Sequence, residues 1–386
     1  MEQTLTIGMA HHDDFNGVYF TIQDIIKELT FNNRQDLLQK IEFLVVENNP
    51  NSKHGKSVKS LEKKINSLRV VDFTDKKGTS ATRNKVIEEA RTNFVLVLDC
   101  HVLLCPVVDT LDRLFTYMEY NADSNDLFCG PLVHDNCLAI STHFKDTWGS
   151  GMWGQWANAW QCVCESFNFS IKNVNGKAAF SKLDTGESID KCVYCNREFP
   201  KDVEWKLINQ TLNSQGYSLV GRNASEKPFE VFAQGLGCFF TRKNAWLGFN
   251  EYAEGFGGEE CYIHEKYRMN DRKVIYLPFL RWLHRFDRPD GVSYPLTLGN
   301  KVRNYVLEFL ELNMDLSPIK KHFVEEQNLD LDDYNRIVDE CRSIYRGEST
   351  IDPEVLSEID QLKLKLKQLQ SKANSKTGKC CKKRCK

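Results

Sequence analysis

The 386-residue chain has no long apolar run and no excess of charge of either sign. A transmembrane helix needs roughly 18 to 20 consecutive apolar residues, and no segment approaches that length, so we expect no membrane span. No apolar signal-peptide core follows Met1, and we therefore expect a cytoplasmic protein. The net charge of −2 points to no special class of charged partner.

Cysteine, in contrast, is abundant, with 14 residues. Because we expect no secretory signal, metal ligation is favoured over disulfide bonds. Cys162 and Cys164 form one close doublet, and Cys192 and Cys195 form another. Paired doublets are typical of a four-thiolate zinc site, although four scattered buried thiols are the alternative. The sequence thus predicts a structural zinc ion in a ribbon-like insertion at residues 150–230.

The segment 148–156, at the start of this insertion, is dense in glycine and tryptophan. We expect the insertion to form a lid over the acceptor side of the site. Its tryptophans could stack on a sugar or a base, or they could form the small core of the lid. The sequence leaves these two alternatives open.

The N-terminal third alternates between short apolar segments and helical patterns. The predicted strands are 5–9, 41–46, 68–71 and 94–98, and the predicted helices are 18–29 and 79–90. Apolar runs of this length are typical of strands buried on both faces, and their alternation with helices indicates a parallel α/β sheet. Gly8, inside the first strand, would allow another group to approach the backbone closely.

Asp99 and His101 follow the fourth predicted strand directly. Ligands of open α/β sheets bind beyond the carboxyl ends of the strands. In extended chain, residues two apart point the same way, so this carboxylate and imidazole can share one divalent cation. The alternative is that Asp99 caps a turn and His101 is an ordinary surface histidine.

Two blocks of sequence carry a family resemblance. The first block contains V-V-E-N-N-P (45–50), G-T-S-A-T-R-N-K (78–85) and V-L-D-C-H (97–101). The second contains C-F-F-T-R (238–242), G-F-N (248–250), G-F-G-G-E-E (255–260) and R-W-L-H-R-F (281–286). Together they resemble metal-dependent glycosyltransferases of the A-type fold, in particular polypeptide N-acetylgalactosaminyltransferases and family 2-like enzymes. The second block is also similar to β-1,4-galactosyltransferases.

This resemblance implies a Rossmann-like mixed α/β sheet with helices on both faces, a nucleotide-sugar donor, with UDP expected, and Mn²⁺ or Mg²⁺. It implies that Asp99, His101 and His284 bind the metal ion. The expected donor contacts are Gly8, Glu47, Asp72, Arg83 and Asp99. Among them, Glu47 would accept from uracil or ribose, and Arg83 would face the pyrophosphate or hold the donor loop.

The loop 255–258 has three glycines in four positions, which predicts close approach of the backbone to another group. It leads to Glu259 and Glu260 at the start of a helix. The resemblance gives Glu259 a role in holding the acceptor or the sugar hydroxyls. Glu260 stands where galactosyltransferases have an aspartate base and N-acetylgalactosaminyltransferases have an asparagine. It is therefore a candidate base that favours inversion, although the two carboxylates could simply stabilise the helix dipole.

The C-terminal part departs from the resemblance. We expect a catalytic domain over 1–300, a helical appendage over 301–350, and a short heptad helix with a basic tail over 351–386. The heptad pattern at 355–370 could dock on the body or associate with a second copy.

The sequence as a whole predicts transfer of a sugar to a hydroxyl acceptor. The acceptor could be a hydroxymethylated DNA base, a protein or a glycan, and the setting would be intracellular, as in bacteria, phages or large viruses. The alternative is a catalytically inactive glycosyltransferase-like zinc-ribbon module that binds nucleic acid or protein.

Overall fold

The structure is a computed structural model. It describes residues 2–346 except 106–108, 136, 138, 222, 287–290 and 293. The contacts divide the chain into two compact units after Tyr334. The predicted heptad helix at 355–370 and the basic tail lie outside the described residues, and the predicted boundaries at 300 and 350 stay predictions.

Strands and helices alternate through the first part of the described chain. The strands are β1 (Leu5–His11), β2 (Ile41–Glu47), β3 (Leu68–Asp72), β4 (Phe94–Asp99), β5 (Val102–Leu104), β6 (Leu127–Cys129), β7 (Leu132–Val133), β8 (Ile140–Ser141), β9 (His143–Gly149), β10 (Met152–Ala157), β11 (Trp160–Gln161), β12 (Asn168–Val174), β13 (Lys177–Lys182), β14 (Ser188–Ile189), β15 (Ser218–Leu219), β16 (Phe229–Glu230), β17 (Cys238–Arg242), β18 (Val274–Tyr276) and β19 (Trp282–His284).

The helices are α1 (Phe15–Phe31), α2 (Gln35–Leu38), α3 (Lys53–Leu61), α4 (Thr79–Glu89), α5 (Thr110–Tyr120), α6 (Ile208–Ser214), α7 (Glu259–Met269), α8 (Leu298–Glu311), α9 (Ser317–Lys320) and α10 (Leu331–Tyr345). Short 3₁₀ turns occur at Trp205–Leu207 and Lys243–Ala245, and a π-helical turn covers Lys321–Glu326. Among the described helices, none has both the length and the hydropathy needed to cross a membrane.

The main sheet is mixed and has the order β16-β18-β6-β17-β4-β1-β2-β3. β1 pairs in parallel with β2 and β4, and β2 pairs in parallel with β3, whereas β17 is antiparallel to β4. The apolar side chains of β2 divide between two separate cores, one on each face of the sheet. The strand order and directions confirm the predicted mixed α/β sheet. Burial on both faces accounts for the continuous apolar runs of its central strands.

The strand register brings polar residues to one edge of this sheet. Ala10 pairs with Asp99, His11 pairs with Glu47, and Glu47 pairs with Asp72. Because these strands are parallel, their carboxyl ends lie side by side, as expected for the ligand-binding edge.

A second, four-stranded sheet has the order β5-β19-β7-β8. In it β19 is antiparallel to β5, with His284 opposite Val102. This pairing brings the end of β19 beside the turn that follows β4.

The insertion forms its own antiparallel sheet, in the order β14-β13-β12-β11-β15. A separate core lies beneath it, with Phe169, Phe180, Phe199 and Leu212 among the buried residues. We call residues 160–219 the insertion module.

The tryptophans of the β9–β10 hairpin pack into the protein body. The ring of Trp148 lies 5.0 Å from that of Tyr305 and 5.3 Å from that of His322, measured between centroids. Trp153 is buried, lies 5.2 Å from the ring of Phe309, and donates its Nε1–H to Asp146. Trp148 and Trp153 therefore pack against α8 and the π-helical turn, and neither belongs to the separate core of the insertion.

Candidate active site

Asp99, His101 and His284 lie together at the edge of the main sheet. Nε2 of His101 is 2.9 Å from Nε2 of His284, and Oδ2 of Asp99 is 3.9 Å from Nε2 of His101. One possible ligand atom from each residue falls within 4.8 Å of the other two. The β5–β19 pairing therefore brings the predicted ligand set together from two distant segments.

The spacing of this cluster fits a shared cation. Two ligand atoms that bind one ion at about 2.1 Å and at right angles lie about 3.0 Å apart. The distance between the two histidine nitrogens matches that value. One carboxylate with two imidazoles is a donor set that can bind a divalent metal ion and leaves coordination positions for further ligands. The residues therefore fit a divalent metal ion.

Arg83 connects this cluster to the glycine-rich loop. Its side chain is only 4% exposed, and its Nη2 donates to Oδ1 of Asp99 at 2.6 Å while its Nη1 donates to Oε1 of Glu259 at 3.1 Å. Burial alone would raise the pKa of Asp99, but the guanidinium and the two neighbouring histidines hold it below its usual value. Asp99 is thus kept ionised, with Oδ2 directed toward the histidine pair.

Glu259 and Glu260 begin α7, directly after the 255–258 loop. Glu259 is buried and paired with Arg83, whereas Glu260 is partly exposed. Burial and the charge of Glu259 raise the pKa of Glu260 to about 7, although Arg83 partly opposes this shift. The two carboxylates therefore differ in character: Glu259 is fixed in an ion pair, and Glu260 can exchange a proton near neutral pH.

His264 supports the backbone at this point. Its Nδ1–H donates to the carbonyl oxygen of Glu260 at 2.5 Å. Burial lowers the pKa of His264 to about 3, so the ring stays neutral and contributes no charge beside the two carboxylates.

Three of the predicted donor contacts have other partners in the structure. Glu47 is fully buried, and its two oxygens contact Nδ1 of His11 and the backbone N–H of Asn49. Asp72 is at the surface, with Lys59 as its ion-pair partner. Gly8 lies within β1, and a Cβ there would come 2.2 Å from Cγ1 of Val86, so the close approach predicted for Gly8 is made by α4.

Sequence reasoning did not single out His11 as the partner of Glu47. Its ring is buried, its Nδ1 contacts Glu47, and its Nε2 accepts the backbone N–H of Asp14 at 2.9 Å. The contact follows from the pairing of β1 with β2, which places His11 opposite Glu47 and is seen only in the structure.

The four cysteines of the insertion module also form a cluster. Sγ of Cys162 is 3.8 Å from that of Cys195, and Sγ of Cys164 is 3.7 Å from that of Cys192. These separations exceed the disulfide length of about 2.05 Å. A tetrahedral ion with Zn–S bonds of about 2.3 Å places its sulfurs about 3.8 Å apart, so the cluster is compatible with zinc.

Each of the two doublets sits on a turn that ends at a residue with left-handed backbone angles. The backbone N–H of Glu165 donates to the carbonyl of Cys162, and that of Asn196 donates to the carbonyl of Cys192. Glu165 and Asn196 both have left-handed backbone angles, with φ of 57° and 59°. The first turn is closed between residues i and i+3 and the second between i and i+4, yet the four sulfurs converge on one point.

Comparison with known proteins agrees with this geometry. Residues 15–137 match the family model of glycosyl transferase family 2. An uncharacterised glycosyltransferase of Methanocaldococcus jannaschii is 31% identical over 104 residues, which are 27% of this chain and 35% of that protein. The chain thus spans about a third of the curated relative that it matches.

Two solved structures are similar over 88% of this chain. The crystal structure of GalNAc-T7 with UDP, GalNAc and Mn²⁺ has a TM-score of 0.50 and 14% identity, with 54% of that chain covered. TarS residues 1–349 of S. aureus, in complex with UDP-GlcNAc, has a TM-score of 0.46 and 11% identity, with 81% covered. The match over residues 15–137 supports the glycosyltransferase resemblance, and the likeness to GalNAc-T7 confirms the A-type fold expected from the sequence.

Proposed function

We propose that the protein is an active glycosyltransferase that moves a sugar from a nucleotide-diphosphate sugar to a hydroxyl acceptor. The observation that carries this proposal is the convergence of Asp99, His101 and His284 beside the Arg83–Glu259 ion pair. UDP is the expected nucleotide, and the UDP and Mn²⁺ in the GalNAc-T7 structure support that choice.

Asp99, His101 and His284 would hold the divalent ion, Mn²⁺ or Mg²⁺. When bound, the ion stabilises the negative charge that develops on the diphosphate leaving group. Arg83 engages one oxygen of Asp99 and so keeps the other directed to the histidine pair. Arg83 would therefore act by orienting the carboxylate of Asp99 through its ion pairs with Asp99 and Glu259. This role requires no direct contact between Arg83 and the pyrophosphate.

Glu260 is the proposed base. Proton transfer is most effective when the pKa of the base lies near the working pH, and the pKa of Glu260 is about 7. Its carboxylate would take the proton of the attacking hydroxyl, which favours single displacement with inversion. Glu259, held by Arg83, would accept hydrogen bonds from sugar or acceptor hydroxyls through its other oxygen.

The insertion module would contain a structural zinc ion. Cys162, Cys164, Cys192 and Cys195 would fill all four positions of the ion, so no position remains for chemistry. The proposal does not choose among the three candidate acceptors, which are a hydroxymethylated DNA base, a protein and a glycan. A cytoplasmic, virus-type setting and self-association through 355–370 also stay predictions.

The test is mass spectrometry of reactions with a panel of nucleotide sugars and acceptors, with and without Mn²⁺. We expect transfer or slow sugar-nucleotide hydrolysis that requires the metal ion and is lost in Asp99→Ala. Asp202→Asn is the control, because this exposed carboxylate pairs with Lys177 on the insertion module.

Inactive wild-type protein would contradict the proposal. If UDP also bound equally well to wild type and Asp99→Ala, the alternative of a binding module without turnover would be favoured.

A further inference from the structure

The 255–258 loop rests directly on α8. All three of its glycines have left-handed backbone angles, with φ of 68°, 97° and 112°. A Cβ built on each glycine would meet a side chain of α8: Asn300 Nδ2 at 2.7 Å from Gly255, Lys301 Cε at 3.0 Å from Gly257, and Glu308 Oε2 at 2.8 Å from Gly258. The group that these glycines allow to approach is therefore a helix of the same chain.

Asn304, at the centre of this helix face, holds the loop by its backbone. Its side chain is buried, and its Oδ1 accepts the N–H of Glu254 at 3.1 Å. Its Nδ2 donates to the carbonyl of Glu254 at 2.9 Å and to that of Gly257 at 2.8 Å. One amide thus supplies an acceptor and two donors, a combination that aspartate and alanine lack.

The opposite side of the loop is held by the start of α4. The carbonyl of Gly255 accepts from the backbone N–H of Thr79 at 2.9 Å and from its Oγ1 at 3.1 Å. The N–H of Gly255 donates to the carbonyl of Lys77. Because α4 carries Arg83 and the loop leads into Glu259, the position of the loop determines how these two side chains meet.

We propose that Asn304 is a positioning residue for the site. By fixing the loop between α8 and α4, it sets Glu259 against Arg83 and sets the location of Glu260. This inference rests on the proposed function, since it assigns Asn304 a role through the proposed base.

The charges around Glu260 make the inference testable by pH. Glu260 is near Glu259, Arg83 and Lys301, and its charge in turn reaches Glu308 and Tyr305. Asn304→Asp keeps the side-chain shape but adds a carboxylate to this group. An added negative charge raises the pKa of a neighbouring acid. The acid limb of the pH–rate profile should therefore move to higher pH in this variant.

The experiment compares Asn304→Ala and Asn304→Asp with Gly299→Ala. This control lies on the same helix, at a position whose Cβ would have no atom of the described residues within 4 Å. We expect kcat to fall roughly 10- to 100-fold in both Asn304 variants, as for misplaced catalytic groups. The affinity for Mn²⁺ and UDP, measured by calorimetry, should stay within about twofold. The control should match wild type.

Unchanged kcat in both Asn304 variants would overturn the inference, and so would a parallel loss of UDP affinity and kcat, which indicates general damage. Hydrogen exchange of the 250–258 peptide gives a readout that needs no turnover. It should be faster in Asn304→Ala than in Gly299→Ala, because the Glu254 amide loses its acceptor. If the exchange rates differ in this way but the wild type is inactive, only the transferase proposal is refuted. If the 250–258 peptide exchanges equally fast in Asn304→Ala and Gly299→Ala, the role of Asn304 is refuted.

Discussion

Nε2 of His101 and Nε2 of His284 lie 2.9 Å apart although 183 positions separate the two residues in the chain. The antiparallel pairing of β5 with β19 accounts for this contact, since it places His284 opposite the residue that follows His101. Two imidazole nitrogens at this distance can share one proton or bind one cation, and the proposed function assigns the cation.

Replacement of either histidine should weaken metal binding. We expect His284→Ala to lower the affinity for Mn²⁺ at least about tenfold, since it removes one of three protein ligands. Titration followed by electron paramagnetic resonance measures this affinity. Protons compete with a metal ion for imidazole nitrogens, so added Mn²⁺ should partly restore wild-type activity at low pH. Equal Mn²⁺ affinity in wild type and variant would contradict the assigned ligand set.

Replacement of Arg83 should cost stability as well as metal affinity. Arg83→Met leaves the buried Glu259 and the partly buried Asp99 without their shared cationic partner. Breaking such a buried pair typically costs about 3–5 kcal/mol in the free energy of unfolding. Urea unfolding measures this loss. Arg83→Lys should recover only part of it, because an ammonium lacks the guanidinium geometry that engages both carboxylates at once.

The rate of transfer should rise with pH through about 7. The raised pKa of Glu260 means that the folded protein keeps the proton on this carboxyl up to about that pH, and only the ionised form can act as a base. Glu260→Gln should lower kcat about 10²- to 10⁴-fold and leave donor affinity nearly unchanged. The test is a pH–rate profile at saturating Mn²⁺. A profile flat between pH 6 and 8 would argue against Glu260 as the base.

Glu308→Gln should not destabilise the protein at neutral pH. Both oxygens of Glu308 are buried without a hydrogen-bond partner among the described residues, and burial with the nearby Glu259 and Glu260 raises its pKa well above the usual value. The folded state therefore binds this proton more tightly than the unfolded chain, and the stabilisation present at low pH is lost as pH rises toward the folded pKa. Glutamine mimics the protonated acid and should remove this dependence.

The control for this prediction is Glu311→Gln on the same helix. Glu311 contacts Lys266, Tyr262 and Asn250, so its replacement should lower stability. Thermal unfolding between pH 5 and 8 measures both variants. Equal destabilisation by the two changes would contradict a neutral Glu308.

The insertion module should contain one zinc ion per chain. Metal analysis of purified protein should detect it, and Cys192→Ser should lose the ion and lower the midpoint of thermal unfolding. A structural zinc site supplies folding free energy directly. Cys137→Ser is the control, because this exposed cysteine lies outside the cluster. Protein that is free of zinc yet unchanged in stability would contradict the assignment.

Local patterns were sufficient for the main strands. The predicted strand at 94–98 corresponds to β4 (Phe94–Asp99), and that at 41–46 corresponds to β2 (Ile41–Glu47). Each observed strand continues into its terminal carboxylate because the backbone pairing does not stop where the apolar run stops. The side-chain pattern therefore predicts the presence of a strand better than it predicts where the strand ends.

The partners of individual side chains could not be predicted in the same way. Glu47 ends a strand as expected, but the register of β1 against β2 gives its carboxylate to His11. Trp148 belongs to an aromatic-rich segment, but the docking of its hairpin on α8 gives it a place in the core. Neither register nor docking can be read from one segment, since both depend on the second segment.

The sequence by itself determined the alternation of strands and helices, the D-x-H motif after β4 and the two cysteine doublets. These features depend on residues close together in the chain, whose backbone geometry and chemistry are local. The family resemblance had assigned His284 to the same ion as Asp99 and His101, but only the tertiary structure shows that the three side chains meet. It alone shows that Arg83 pairs with Glu259 and that the glycines at 255–258 make room for α8. Each of these contacts joins distant segments, and it forms because several packed elements together fix where the two segments meet.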